Sequence, residues 1–227
     1  MRKNVLILAA IFFSISLLAQ ESQVRNVGSF KTVKSGEAID VYLKKGDKES
    51  VKVETTGLSV DRVLTEVSGG ALKIHMKEGN YRGKTDVKVY VTYVDLEKIS
   101  ASSASNMFSD GVIKAKSLEI HVSSAANIEA SLDAESVIAH SSSAGDITLE
   151  GKCNSIDAEA SSAGEIDAYN LTAEKAKGNA SSAGSIKLNV AQELWANASS
   201  GGGIRYRGNP AKSNTNSSSG GSVKKAN

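Results

Sequence analysis

The feature that most constrains the fold is a short motif that occurs seven times between Ser102 and Val223. Each copy reads Ser-Ser-Ala or Ser-Ser-Gly, followed after two residues by an aliphatic residue, and the copies begin about 19 residues apart. Repetition with a period of about 20 residues is typical of stacked-repeat proteins, in which one repeat cannot bury its apolar face without its neighbours. The copies begin at Ser102, Ser123, Ser142, Ser161, Ser181, Ser199 and Ser218.

Aligning the copies on the first serine separates inward from outward positions. The positions one and three residues before this serine hold small or aliphatic residues in most copies, whereas the position between them is polar throughout. Because side chains alternate across a strand, this pattern predicts a short strand with one side buried and the other exposed. The sequence therefore predicts an all-β fold, a parallel β-solenoid of about seven coils, in which each coil has two short strands joined at the Ser-Ser corner.

The corner itself contains serine and glycine. A glycine that follows Ser-Ser-Ala is expected to adopt a positive φ at a tight bend. The alternation of side chains places the second serine of each pair inward or in the corner, where stacked hydroxyls would bond to one another or to carbonyls of the turn. The predicted corner residues are Ser124, Ser143, Ser162, Ser182, Ser200, Gly145, Gly164 and Gly184.

The chain divides into three regions. Residues 1–19 have two basic residues, a short apolar stretch and a small residue at the end, which predicts a secretory signal peptide and not a transmembrane helix. Residues 20–98 alternate between apolar and polar positions, which predicts strands that cap or continue the solenoid. Val60 to Val67 also fits a helical stripe, but its β-branched residues favour a strand. Residues 99–227 hold the repeats of about 19 residues.

Charge is distributed unevenly along the repeats. Residues 118–168 contain ten acidic residues and one basic residue, whereas residues 169–227 contain eight basic and two acidic residues. Because chain order equals axial order in a solenoid, these blocks predict an acidic middle and a basic C-terminal end. We expect the basic end to bind an anionic surface or the acidic stretch of another copy. The candidate binding residues are Lys187, Arg205 and Lys224, which share one outward column, and the single tryptophan, Trp195.

Several other features favour structural interpretations over chemistry. His121, His140 and Glu159 share an outward column, but a flat open face favours solvated side chains over a metal site. Acidic residues occur near Asp157 without the basic and aromatic neighbours of a sugar-cleaving site. Cys153 is the only cysteine, so no internal disulfide can form, and it is expected to be a small buried residue. No catalytic residue, metal or cofactor is predicted.

Three Gly-x-Ile segments that follow Ser-Ser-Ala carry a resemblance to a known family. They are 145–147, 164–166 and 184–186, and similar entry strands occur at 27–30, 39–43 and 72–74. The sequence resembles the exported bacterial family described as the "putative autotransporter-adhesin head", or GIN, domain. The resemblance implies a right-handed β-solenoid in the cell envelope of Gram-negative bacteria, without established catalytic residues.

These observations predict a non-catalytic, exported protein of the cell envelope or surface, which acts as an adhesin-like or envelope-interaction scaffold. Its location would be the periplasm, the outer-membrane surface or the extracellular space. Expected partners are an envelope or host glycan or protein, or further copies of the chain. The net charge of +2 does not favour nucleic acid. A β-helical enzyme that acts on polysaccharides and a self-assembling structural element remain as alternatives.

Overall fold

The computed structural model describes residues 20–81 and 85–226. The predicted signal peptide at 1–19 lies outside the described residues. The described chain consists of sixteen strands and one short 3₁₀ turn, Val60–Arg62, and no helix in it is long and apolar enough to cross a membrane. In chain order the strands are β1 (Gln20–Arg25), β2 (Thr32–Ser35), β3 (Asp40–Lys45), β4 (Ser50–Thr56), β5 (Val63–Ser68), β6 (Ala71–Met76), β7 (Asp86–Tyr93), β8 (Lys98–Ala101), β9 (Asn106–Val122), β10 (Asn127–Ser141), β11 (Asp146–Ala160), β12 (Glu165–Ala180), β13 (Ser185–Ala198), β14 (Gly203–Arg207), β15 (Lys212–Ser217) and β16 (Ser222–Lys225).

The predicted parallel β-solenoid is confirmed. Strands β9 to β13 are 14–17 residues long, and each begins in one sheet and bends into the opposite sheet. The first sheet has the order β1-β4-β7-β3-β9-β10-β11-β12-β13-β14-β16, and the second has β5-β6-β2-β8 followed by the later halves of β9 to β13 and by β15. We call the solvent side of the first sheet the first face and that of the second sheet the second face.

The N-terminal strands continue the solenoid and then cap it. Strands β2 and β3 pair in parallel with β8 and β9, so they form a further coil before the first Ser-Ser motif. Strands β6 and β7 extend this coil outward, again in parallel. The antiparallel strands β4 and β5 then cover β7 and β6, and β1 pairs with β4. Both sheets therefore run without interruption across residue 98. Of the ambiguous segment from Val60 to Val67, the part from Val63 is a strand, as favoured by its β-branched residues, whereas Val60–Arg62 forms the 3₁₀ turn.

The interior is a stack of aliphatic columns. In the first sheet, a core column of nine branched or thioether side chains is almost wholly buried. Its members are Val53, Val89, Val41, Met107, Ile128, Ile147, Ile166, Ile186 and Ile204. Across the core, the predicted inward column of the second sheet narrows from Ile120 to Ala139 and Ala158. Small residues, among them Ala134, Cys153 and Ala173, are buried where the long strands bend. Burial raises the pKa of the Cys153 thiol to about 12.

The corners turn on two consecutive left-handed residues. In every Ser-Ser motif the second serine and the residue after it have positive φ, for example 55° at Ser124 and 57° at Ala125. The amide of Ala125 donates to the carbonyl of Ser143 in the next coil, at 3.1 Å, and equivalent bonds link the other corners. Glu37 and Ala38 have the same conformation, and Ala38 donates to Ser103. The stack therefore contains an eighth corner that lacks the Ser-Ser motif.

The second serines lie in the corner, which is one of the two placements predicted for them, but the predicted inward placement is wrong. Their side chains point into solvent, because side-chain alternation holds only for extended backbone and two left-handed residues interrupt it. The exposed serines include Ser124, Ser143, Ser162, Ser182 and Ser200. The buried hydroxyls lie elsewhere, and that of Ser141 donates to the carbonyl of Gly145 at 2.7 Å.

The glycines after the corner also have a different role from the predicted one. Gly145, Gly164 and Gly184 are not among the residues with positive φ. They lie in close contact with the preceding coil, and a Cβ atom at Gly184 would lie 2.3 Å from the carbonyl oxygen of Ala160. The glycine is therefore required by space between stacked coils and not by backbone conformation.

Candidate binding surface

The outward residues in the middle of the first sheet form one continuous column along the solenoid. Strand pairing places them in register from the N-terminal cap to the last coil. The first part of this column is aromatic, the middle is acidic and the last part is basic. In axial order its members are Lys52, Tyr90, Tyr42, Phe108, Glu129, Thr148, Asp167, Lys187, Arg205 and Lys224.

The aromatic part is a ladder of three stacked rings, which we call the aromatic stripe. The ring centroids of Tyr42 and Tyr90 are 5.2 Å apart, and those of Tyr42 and Phe108 are 5.4 Å apart. The Nζ atom of Lys52 lies 5.6 Å from the Tyr90 ring centroid, and Val24 continues the column on β1. Stacked rings stabilise the cap through cross-strand packing, while their outer edges remain available for contact. Tyr90 is 37% exposed and Val24 is 69% exposed.

Polar side chains border the aromatic stripe on both sides. On one side the amide of Asn106 donates to the carboxylate of Asp40 at 2.7 Å. On the other side the ammonium of Lys44 lies 3.3 Å from the carboxylate of Asp110. Aromatic side chains beside hydrogen-bonding groups are enriched in binding surfaces, because apolar contact provides affinity and polar contacts provide orientation.

The acidic part of the first face contains carboxylates without a described cation partner. Glu129 accepts a hydrogen bond from Asn127 at 3.1 Å, and Glu150 accepts one from Ser131. Asp146 lies between neighbouring coils, and loss of hydration raises the pKa of its carboxyl group. The negative charges of Glu165, Asp167 and Glu129 raise that pKa further, against the opposing effect of Lys187. A positive ligand at this position would relieve the repulsion.

Three of the four predicted binding residues lie together in the basic part. Pairing places Lys187 beside Arg205 and Arg205 beside Lys224. However, Lys187 is tied to the preceding coil, since its Nζ atom lies 2.8 Å from Glu165 and 2.9 Å from Asp167, both on β12. These hydrogen bonds raise the pKa of Lys187. Within the described chain, Arg205 and Lys224 form no ion pair, so they are the cations available to a partner.

A shallow depression of about 370 Å³ lies beside these cations. It is bordered by Ser185, Gly203 and Ser222, whose small size leaves the surface low next to the column of Lys187, Arg205 and Lys224. A Cβ atom at Gly203 would meet nothing within 4 Å. The depression can therefore accept a projecting anionic group.

Trp195 does not join this surface. It lies on the second face, 43% exposed, and pairs in register with Lys177 and Asn214. Sequence columns alone could place Trp195 outward, but only the two-sheet geometry separates it from Arg205 by the thickness of the solenoid. The aromatic stripe was not predicted as a site, because Tyr42 and Tyr90 lie outside the repeats and become neighbours only through pairing of β3 with β7.

The predicted histidine column on the second face is present. The rings of His121 and His140 stack with centroids 4.7 Å apart, and His140 Nδ1 lies 3.2 Å from the carboxylate of Glu159. Glu119 contacts His121 and also binds Lys98 at 2.9 Å. Burial, together with the charges of Lys98 and His140, lowers the pKa of His121 against the opposing effect of Glu119. Within residues 20–81 and 85–226, no three histidine, cysteine or carboxylate side chains are arranged to hold a metal ion.

A groove of about 720 Å³ runs along the edge where the long strands bend. It combines ammonium groups and carboxylates, including Lys31, Glu97, Lys114, Lys116 and Glu135. Lys31 and Glu97 neutralise each other at 2.6 Å. Hydroxyl groups of Ser117, Ser136 and Ser155, stacked in adjacent coils, line the rest.

Comparison with known proteins supports this fold. The structure resembles a putative adhesin from Bacteroides fragilis NCTC 9343, with a TM-score of 0.79, 18% sequence identity and coverage of 92% of this chain and 97% of that chain. A putative adhesin from Parabacteroides merdae ATCC 43184 gives a TM-score of 0.71 at 17% identity, with coverage of 92% and 96%. A protein named a putative lipid binding protein from Parabacteroides distasonis ATCC 8503 gives 0.65 at 20% identity, with coverage of 92% and 97%.

The sequence comparison is more specific. No curated protein matches the chain. The family model described as "Putative auto-transporter adhesin, head GIN domain" matches residues 29–210. This range includes the N-terminal coil and all but the last Ser-Ser corner, and it confirms the resemblance carried by the Gly-x-Ile segments. The chain therefore belongs to the family of the putative auto-transporter adhesin head, the GIN domain.

Proposed function

We propose that this protein is an exported, non-catalytic scaffold of the cell envelope that binds a glycan or protein partner in an adhesin-like role. The observation that carries the proposal is the aromatic stripe, which points outward on a rigid face and is bordered by polar groups. The adhesin names of the family and of the structural relatives are consistent with it. The short apolar segment after Arg2 and Lys3 supports export.

The stripe fits such a partner for a physical reason. Tyrosine provides a large contact area with few rotatable bonds, and its hydroxyl can bond to a polar ligand. Strand pairing and ring stacking already hold Tyr90 and Tyr42 in place, so little conformational entropy is lost on binding. The neighbouring Asp40, Asn106 and Lys44 supply acceptors and donors for hydroxyl or amide groups.

The test is binding of the purified protein to an array of envelope and host glycans and to immobilised surface proteins. Because one structural relative is named a lipid binding protein, vesicles of anionic and of zwitterionic lipids are included. We expect Tyr90→Ala to weaken binding by about tenfold or more, as for an aromatic anchor in an interface. Trp195→Ala, on the second face, is the matched control and should bind normally. Equal binding by wild type and Tyr90→Ala, with both correctly folded by circular dichroism, would refute the role of the stripe.

A second candidate function is action on a polysaccharide. The groove beside Glu135 favours it, because acidic and basic side chains converge there along a channel open at the surface. Incubation with envelope and dietary polysaccharides, followed by detection of new reducing ends, tests this candidate. Product that disappears in Glu135→Gln but persists in Tyr90→Ala would favour the enzyme over the scaffold.

A further inference from the structure

The acidic and basic parts of the first face are related by a reversal of charge. From β10 to β16 the central column reads Glu129, Thr148, Asp167, Lys187, Arg205 and Lys224. The midpoint lies between β12 and β13, with acidic residues before it and basic residues after it. The adjacent column repeats this order, since Glu150 lies on β11 and Arg207 on β14.

Both halves contain charges that the described chain leaves unneutralised. Arg205, Lys224 and Arg207 form no ion pair there, although Arg207 lies 4.0 Å from the ring centroid of Tyr169. Glu129 and Glu150 likewise have no described cation within salt-bridge distance. From β10 to β16, only the two strands at the midpoint form ion pairs on this face, because Lys187 on β13 binds Glu165 and Asp167 on β12. The monomer therefore presents two patches of opposite charge side by side on one flat face.

A two-fold axis parallel to the strands, placed between β12 and β13, brings these patches together. It sets the first face of one copy against that of another with the solenoid axes antiparallel. Each strand then faces its counterpart across the midpoint, so Glu129 lies opposite Lys224 of the second copy and Glu150 lies opposite Arg207. A two-fold axis along the solenoid would instead set acidic residues against acidic ones, which is repulsive.

The surface relief agrees with the same operation. The axis places Asp146 on β11 opposite Gly203 on β14, where the depression of about 370 Å³ lies. The projecting carboxylate of Asp146 therefore enters a gap whose rim carries Arg205 and Lys224. That environment adds two positive charges near a carboxyl group on which, in the single chain, Lys187 opposes three neighbouring carboxylates.

We infer that the acidic and basic parts of the first face bind a second copy of this chain in an antiparallel, two-fold dimer. This inference does not depend on the partner of the aromatic stripe. The six strands involved span about 25 Å at about 4.8 Å per strand, so the buried area is at the low end for protein interfaces. The dimer is consequently weak and sensitive to ionic strength. It leaves the aromatic stripes free at its two ends, which would make the assembly bivalent.

Sedimentation velocity of the purified protein over a range of concentrations tests the dimer. We expect dimers at about 0.02 M salt and monomers at about 0.5 M salt, where screening is effective over a few ångströms. Arg207→Glu combined with Lys224→Glu makes the face predominantly acidic, and Glu129→Lys combined with Glu150→Lys makes it predominantly basic. Each double variant alone should dimerise at least about tenfold more weakly than wild type.

The decisive measurement mixes the two double variants. Their faces are complementary at both ends of the contact, so the mixture should form heterodimers at low salt although neither variant pairs with itself. Lys34→Glu combined with Lys73→Glu, on the second face, is the control of equal charge change and should dimerise as wild type does. A monomer at every concentration at low salt would overturn the inference, as would failure of the mixture to associate. If the wild type is a monomer that binds an anionic glycan, and the acidic double variant loses this binding, the basic part would be assigned to a glycan instead.

Discussion

The close approach of successive coils at Gly184 leads to a quantitative prediction for Gly184→Ala. The added Cβ atom would lie 2.3 Å from the carbonyl oxygen and 2.5 Å from the carbonyl carbon of Ala160, and 2.9 Å from the amide nitrogen of Ser161. All three atoms belong to the backbone, so no side chain can rotate away. Restoring normal contact distances of about 3.5 Å requires the two coils to separate locally by about 1 Å.

This separation strains the hydrogen bonds that stack the two corners. The Ser181 amide donates to Ala160 at 3.0 Å, and the Ser185 amide donates to Gly164 at 2.9 Å. Overpacking costs about 1–3 kcal/mol, and removal of glycine from the unfolded chain returns about 0.5–1 kcal/mol. The expected net loss in the free energy of unfolding is about 1 kcal/mol. For a chain of this length it corresponds to a Tm lower by roughly 2–4 °C.

Urea unfolding and thermal melting measure the change in stability, and both are followed by the β-sheet signal in far-ultraviolet circular dichroism. Gly203→Ala is the matched control, because this glycine also lacks positive φ and its Cβ would meet nothing within 4 Å. The control should be unchanged or slightly more stable. If Gly184→Ala were as stable as Gly203→Ala, the role assigned to the glycine after the corner would be wrong.

Two further predictions concern titratable groups. Because the folded pKa of Asp146 lies above its unfolded value near 3.8, its charged form destabilises the folded state, and the associated loss of stability develops as pH rises between these two values. Asp146→Asn should therefore raise the urea midpoint of dilute protein at pH 7 and lose that advantage below pH of about 3.5; an equal gain at both pH values would contradict the electrostatic cause. Cys153 should not react with an aromatic disulfide reagent at pH of about 8 in the folded protein but should react at once in urea, since the buried thiol has a pKa of about 12; rapid reaction without urea would show that the bend of β11 is open.

The sequence by itself determined the architecture of the repeats. The motif has a fixed period and alternating small and polar columns, and a chain of this kind can bury every apolar face by stacking its repeats as parallel strands. The observed strand register follows those columns through β13. The acidic and basic blocks of the sequence also follow each other along the solenoid axis in the same order, because axial order equals chain order in a solenoid. The same reasoning placed Lys187, Arg205 and Lys224 in one column, as the strand pairing has them.

Only the tertiary structure decided what happens where the backbone is not extended or where contacts join distant segments. Alternation predicts side-chain direction along a strand, but the left-handed pair at Ser124 and Ala125 interrupts it, so the second serines are exposed. The need for Gly184 arises from the coil stacked before it, which no local pattern records. The aromatic stripe likewise forms only when β7 pairs with β3 and β3 with β9, because that pairing brings Tyr90, Tyr42 and Phe108 together from separate parts of the chain.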